Sequence, residues 1–215
     1  MSRSLILIGS GGHAKVLAEA HPKLISQLLL IVNNGEEISD TVFSKIESTD
    51  DEKDILKFDI DEVLLVNGIG SLPFSNTREF IYERFRKIGY EFATIISPEA
   101  KVSKQTNISQ GVQIMKGAII QPGVTIGENT IVNTGAIIDH DCQISSHNHI
   151  APGATLSGGV ITGKNVHIGT NATIIQSVEI MDECILGAGS ILNKDLESGK
   201  IVKPANNLIS EVSDR

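Results

Sequence analysis

Seventeen positions spaced six residues apart run from Ile96 to Leu192, and all but Thr162 are aliphatic. They include Ile96, Val102, Ile108, Ile114 and so on through Ile180, Leu186 and Leu192. Neither a helix nor an ordinary strand repeats every six residues. A β-solenoid does, because each hexad supplies one short strand and one turn. Four residues after each large aliphatic comes a small or β-branched residue, such as Ala100, Val112, Ala118, Ala136 and Cys142. One residue earlier comes a residue that tolerates positive φ, among them Gly111, Gly117, Asn129, Gly135, Asp141, Gly153, Asn165 and Gly189. Gly and Asn suit a corner in the left-handed region. Three positions therefore keep one register for about a hundred residues.

The remaining sequence reads differently. Residues 1–90 read as a small α/β unit and residues 91–215 as the solenoid with a C-terminal tail. Leu5–Ile8, Leu28–Val32 and Val63–Val66 are aliphatic runs suited to a parallel sheet covered on both faces. His13–Ala20 begins a helix. Asn76 and Glu79 form a capping box for a second helix, with Ile81, Phe85 and Ile88 as its apolar face and Gly89 as its stop. Thr41 to Phe58 is polar and weakly patterned. Tyr90–Ile95 reads as an extended linker, and the tail after Asp195 as coil or short helix closing the end.

With 215 residues and a formal charge of −8, the chain fits neither nucleic acid nor an anionic membrane surface as partner. No apolar run reaches spanning length, and the first residues lack a signal-peptide cleavage site. Cys142 and Cys184 both occupy the small inward place of the hexad, which fits a reducing cytoplasm and a packing role.

Two motifs carry chemistry. Gly9-x-Gly11-x-x-Ala14, between a strand and a helix, has the outline of a dinucleotide fingerprint, with Gly12 and His13 inside it. The acidic residue expected after the second strand is replaced by Asn33-Asn34, which weakens a nicotinamide reading. Such a turn can equally be structural; His13 tips the balance toward a phosphate or sugar contact. The second motif is Asp139-His140-Asp141. Ile138 and Cys142 point inward, so His140 projects outward at a corner between carboxylates, as a general base can. The bland alternative is a surface histidine with incidental acidic neighbours. His147 and His149 form a second cluster on the outer wall. No spacing supports zinc. His167 reads as merely exposed.

These residues, together with Asn133-Thr134-Gly135-Ala136-Ile137-Ile138, His149-Ile150-Ala151-Pro152-Gly153 and Ile185-Leu186-Gly187-Ala188-Gly189-Ser190, resemble the NeuD/PglD-type bacterial sugar acetyltransferases. The resemblance implies a Rossmann-like N-terminal domain, a left-handed parallel β-helix and a homotrimer. It implies acetyl-CoA as cosubstrate and an amino-sugar nucleotide of surface-glycan synthesis as acceptor, with O-acetylation of a nonulosonic acid as the alternative. His140 would be the base, Asp141 its orienting partner, and Asn133 would line the site. His149 would lie near the thioester, and backbone at Gly158, Thr170 and Ala188 would hold the pantetheine arm. Gly9, Gly11, Gly12, His13, Asn33 and Asn34 would face the nucleotide or sugar. A non-catalytic trimeric scaffold is the rival of another class, for which His140 would be superfluous.

Overall fold

The computed structural model describes residues 3–21, 23–33, 35, 38 and 42–204. Its N-terminal lobe is built on strands β1 (Ser4–Ile8), β2 (Leu28–Val32), β3 (Ser48–Thr49) and β4 (Val63–Asn67), in the order β3-β2-β1-β4. Every pairing is parallel. Helices α1 (Gly12–Ala20), α2 (Leu24–Gln27) and α3 (Thr77–Ile88) cover this sheet.

Helix α3 shows why its sequence reading needed correction. Its buried side chains are Arg78, Ile81, Tyr82 and Phe85, an i, i+3, i+4, i+7 stripe, while Ile88 is 49% exposed. The stripe passes through a charged residue and a tyrosine because α3 packs on the solenoid as well as on the sheet. Asn76 has φ −102° and ψ 7° and makes no side-chain cap bond. Glu79, the expected partner in a capping box, instead accepts from Asn165 Nδ2 at 3.0 Å. Gly89 does end the helix, at φ 112°.

Residues 90–95 are not a free linker. Tyr90 and Phe92 are buried, Phe92 pairs with Leu65, and Ala93 N–H donates to Leu65 O at 2.8 Å. The outward side chains of the first coils, Ile95, Met115 and Ile131, share one apolar cluster with Leu5, Leu17 and Ile31 of the lobe.

From Ile95 onward, two-residue strands alternate with corners and stack into parallel sheets of seven, six and five strands. The second residue of each strand points inward, and Ile114, Val132, Ile150, Ile168 and Leu186 stack down the interior of the seven-stranded face. Ile96, at the open first coil, is 36% exposed. The corner residues named from sequence all take positive φ, from 55° at Asn165 to 71° at Gly111. His147, Ser177 and Glu183 take it too, at 59–60°, which their residue types did not signal.

The solenoid also runs further than its sequence suggests. Ile201–Val202 pairs with Ile185–Leu186, and Leu196 with Ile180. Both separations are 16 residues, against 18 in the preceding coils such as Ile137 to Thr155. Two residues are missing from one turn, which hides the last coil from a six-residue count. The tail beyond 204 lies outside the described residues.

The corners differ in what surrounds them. A Cβ on Gly135 (φ 68°) would meet nothing within 4 Å, whereas one on Gly111 (φ 71°) would sit 2.9 Å from Tyr82 Cε2. Gly135→Ala is expected to cost only the left-handed strain, about 1–2 kcal/mol. Gly111→Ala should cost clearly more, because it also pushes on the lobe. Urea unfolding of both variants checks this, and equal losses would mean that Tyr82 yields freely.

Candidate active site

His140 stands on the edge between the six- and five-stranded faces, where Asp141 makes the left-handed corner at φ 60°. Its Nδ1–H donates to Asp141 Oδ2 at 2.8 Å, and its backbone N–H donates to Asp139 Oδ1 at 2.8 Å. That arrangement fixes the tautomer and leaves Nε2 for chemistry. Nε2 lies over Gly158 of the next coil: a Cβ there would come within 2.5 Å of it. Glycine at 158 thus gives the imidazole its place. The hydrogen bond to Asp141, then the charge of Asp139, raises the His140 pKa above its ordinary value. Ser157, Gly159, Gln176 and Ser177 complete a shallow groove along this edge. Cys142 follows directly but is buried inside the coil, where desolvation pushes its thiol up to about 11. It is no nucleophile.

A second polar group lies on the seven-stranded face. Register places Gln113, Ile131, His149, His167 and Ile185 in one outward column. Both sequence-based placements here need correction. His149 is only 9% exposed and His167 is partly buried, their rings meeting edge to face at 4.8 Å. His147 is also covered, its side chain 6% exposed. The reason is the lobe, which seals this wall. Asn133 Nδ2 donates to His149 Nε2 at 3.2 Å. Asn129 Nδ2 donates to His147 Nδ1 at 3.0 Å, so the Nε2–H of His147 faces Glu83 Oε1 at 3.2 Å. Desolvation lowers the pKa of His149 to about 3, with His167, His13 and Arg78 adding to the effect.

His13 reaches across from the lobe. Its Nε2–H donates to Gln113 Oε1 at 2.7 Å, and Gln113 Nε2 donates to Asn67 O at 2.8 Å. Desolvation, then the charge of Arg78, brings the His13 pKa down to about 4. The ring is therefore a neutral hydrogen-bonding group rather than a cation for an anion. In the glycine loop, Gly9 has φ 90°, and Gly68 would place a Cβ 2.6 Å from Gly9 O. Those two glycines serve strand-loop packing. Gly12 faces open space and leaves the backbone approachable, and Gly11 is the N-cap of α1. Asn33 N–H is tied to Thr49 O at 3.0 Å, and Asn34 lies outside the described residues.

Arg78 was not foreseen as a site residue. It is buried, and its guanidinium donates to Asn67 O at 2.9 Å, Ile69 O at 2.6 Å and Asn129 O at 3.2 Å. Desolvation lowers its pKa to about 9. It borders a cavity of about 550 Å³ between the 71–76 loop and the lower coils, which His147, His167, Glu183 and Ile201 also line. Only a charged residue at a helix position of apolar spacing could have pointed to it.

A single chain does not bring all the expected site residues together. His140, Asp141 and Gly158 share one edge of the six-stranded face. Asn133, Thr170 and Ala188 lie along its other edge, beside His149. Thr170 O accepts from Gly189 N–H at 2.8 Å, and Thr170 and Ala188 are exposed.

Comparison with known proteins agrees with this architecture. A family profile described as "Bacterial transferase hexapeptide (six repeats)" matches residues 105–140 and 159–194. Perosamine N-acetyltransferase from Caulobacter crescentus, solved as a histidine-to-asparagine variant with CoA and GDP-perosamine, is 28% identical. The match covers 94% of this chain and 93% of that one, with a TM-score of 0.80. The acetyltransferase domain of PglB from Neisseria gonorrhoeae FA1090, in complex with acetyl coenzyme A, is 29% identical over 97% of this chain and 100% of that one (TM-score 0.82). The chain thus carries the hexapeptide repeats of bacterial transferases and is similar over nearly its whole length to these sugar acetyltransferases. WeeI from Acinetobacter baumannii AYE, 20% identical over 94% of this chain and 97% of that one (TM-score 0.72), shares the fold. A left-handed parallel β-helix and a Rossmann-like lobe are what the two parts of this chain form.

The buried histidines of this acetyltransferase should make it acid-sensitive. Where a folded-state pKa lies below the unfolded value, the unfolded chain binds more protons, so stability falls as pH drops. The ordinary value is 6.5, and the folded values are about 4 for His13 and about 3 for His149. Stability should be greatest above pH 6.5 and decline between about 6.5 and 4, by about 1.4 kcal/mol per pH unit for each histidine. Urea unfolding at pH 7.5, 6 and 5 should show this, and His149→Gln should flatten the slope by about one proton.

Proposed function

We propose that this chain is an acetyl-CoA-dependent N-acetyltransferase acting on a nucleotide-activated amino sugar in bacterial surface-glycan synthesis. Residues 1–90 hold the nucleotide and sugar, and residues 91–215 carry the acyl transfer. The observation that carries this reading is the His140–Asp141 pair over Gly158, in a fold shared with enzymes solved with CoA and GDP-perosamine.

The reaction is a direct transfer. The acceptor amine attacks the thioester carbonyl, the new C–N bond forms, and His140 Nε2 takes the proton the amine gives up. The C–S bond breaks and CoA leaves as the thiolate. Asp141 keeps the imidazole oriented and stabilises its charged form. Backbone N–H groups of the coils face the developing oxyanion. With Cys142 buried and its pKa raised, no acyl-enzyme is invoked. His149, kept neutral, accepts from Asn133 and so holds the Asn133 amide on the edge where the thioester would lie, and backbone around Gly158, Thr170 and Ala188 is suited to take the pantetheine arm.

The separation of these groups argues for a trimer. The outward residues of the six-stranded face are Lys101, Ile119, Ile137, Thr155, Thr173 and Ile191. Ile191 is 71% exposed, and below Lys101 the column carries no charge. If three such faces meet about an axis, the His140 edge of one protomer lies against the Asn133 edge of the next. Each site then takes its base from one chain and its thioester contacts from another. Cys142 and Cys184, unpaired and inside the coil, fit a cytoplasmic enzyme. Among the described residues no helix is long and apolar enough to cross a membrane.

CoA release, screened with UDP-, GDP- and CMP-activated amino sugars and with free nonulosonic acids, tests the reading. Turnover should require an amino-sugar nucleotide; turnover only on a hydroxyl acceptor would overturn it. His140→Ala should lower kcat by about 10²–10⁴-fold. A loss below about threefold would place the base elsewhere. Because its pKa is raised, His140 should be protonated until the pH exceeds 6.5, so the rate should climb with pH above that value. Asp141→Asn should move this limb to lower pH. Ile137→Glu should yield monomers by light scattering, with activity lost as the composite site comes apart.

A further inference from the structure

The single break in the aliphatic hexads has a partner. Asn148 occupies the small inward place of its hexad, where Val112, Val166 and Cys184 stand in other coils, and it is 1% exposed. Its Nδ2 donates to Thr162 Oγ1 at 2.7 Å and to Gly163 O at 2.9 Å, and its Oδ1 accepts from Val166 N–H at 2.5 Å. Thr162 Oγ1 also accepts from Ser145 N–H at 3.3 Å. Thr130 completes the set, accepting from Asn148 N–H at 3.2 Å and donating to Ser145 O at 3.1 Å. Three polar side chains thus brace one corner from inside the solenoid.

That corner carries His147 and His149 on either side of Asn148. A buried amide is tolerated only when its hydrogen bonds are made, and a satisfied polar network inside a core fixes geometry rather than adding much stability. Without Thr162, Asn148 would lose its shortest amide-donor bond. Without Asn148, Thr162 would have no reason to break the aliphatic series. The bracing also reaches the lobe, because His147 meets Tyr82 edge to face at 5.6 Å and faces Glu83.

We infer that the Asn148–Thr162 pair, stacked under Thr130, is a positioning device: it sets the orientation of His149 toward Asn133 and thereby the binding of the acyl donor. The inference rests on the role proposed above for His149, but its structural content can be read without any substrate.

Thr162→Val is isosteric and removes one acceptor of Asn148 Nδ2, which keeps Gly163 O at 2.9 Å and Ser145 O at 3.2 Å, while Ser145 N–H keeps Thr162 O at 3.2 Å. Thr162→Ser keeps the hydroxyl. Asn148→Val with Thr162→Val puts at both places a residue the same interior already accepts at 112 and 166, and takes from Val166 N–H the Asn148 Oδ1 it donates to. Thermal melts should show a small loss for Thr162→Val and a larger one for the double variant. If positioning is the role, the double variant, still folded, should show a KM for acetyl-CoA raised about tenfold, the scale of a small misplacement. Thr162→Ser should restore KM. Because kcat at saturation depends on His140, it should change little.

A second measurement separates the two claims. Nitrogen-15 NMR on histidine-labelled protein should show His149 neutral down to about pH 4.5 in the native chain. In the double variant it should titrate closer to 6.5, as its ring loosens from Asn133. If acetyl-CoA proves not to be the donor, this titration still reports on the brace. A well-folded double variant with native His149 titration and native KM would overturn the inference.

Discussion

Everything in this molecule depends on coil-to-coil register. Each coil before the last is 18 residues long, so residues 18 apart stack, and a side chain's face is fixed by its place within the hexad. The constraint is maintained by main-chain bonds such as Ile131 N–H to Asn148 O at 2.9 Å, and by corners held in the left-handed region. It converts a linear sequence into columns: aliphatic inside, and on the three outer faces whatever each column is used for. One column presents Ile119, Ile137 and Ile191, another Gln113, His149 and His167. Glycine at 158 lies beneath His140 only because the register is held over the 18 residues between them.

The lobe depends on the same columns. It does not sit on the solenoid as a bead on a string; it seals the seven-stranded face through a polar seam inside an apolar rim. Arg78 bonds the carbonyls of Asn67 and Ile69 in the lobe and of Asn129 at a solenoid corner. Gln113 links His13 of the glycine loop to Asn67. A buried cation held by carbonyl oxygens through Nε and Nη1 is orientation-specific, since a shifted lobe would strand those N–H groups. The glycine loop is thereby held at a set distance from the histidine column, which a substrate spanning both would need.

Much of this was legible from the sequence because a six-residue period has one structural meaning. The corners, the inward cysteines and the outward Asp139-His140-Asp141 followed from counting. What counting could not supply was which outward columns the lobe would cover. His147, His149 and His167 are outward by register yet lie beneath the lobe, and no local pattern reports a tertiary lid. The same cause explains α3, whose Glu79 serves Asn165 of the solenoid instead of its own N-terminus. The final coil escaped for a different reason, a two-residue deletion that changes the phase without changing the path. In the glycine loop the motif mixes two jobs: Gly9 packs against Gly68 and Ile69, whereas Gly12 alone leaves open space.

The histidines show how the fold assigns different chemistry to one residue type. His140 is exposed and hydrogen-bonded to a carboxylate, so its charged form is favoured. His149 and His13 are enclosed and bonded only to amides, so their neutral forms are favoured. A base must accept a proton and hold the resulting charge, which an adjacent Asp141 assists. The two environments lie on different parts of the solenoid wall, His140 at the corner between the six- and five-stranded faces and His149 on the seven-stranded face beneath the lobe, so one residue type is held charged-favouring in one place and neutral in the other.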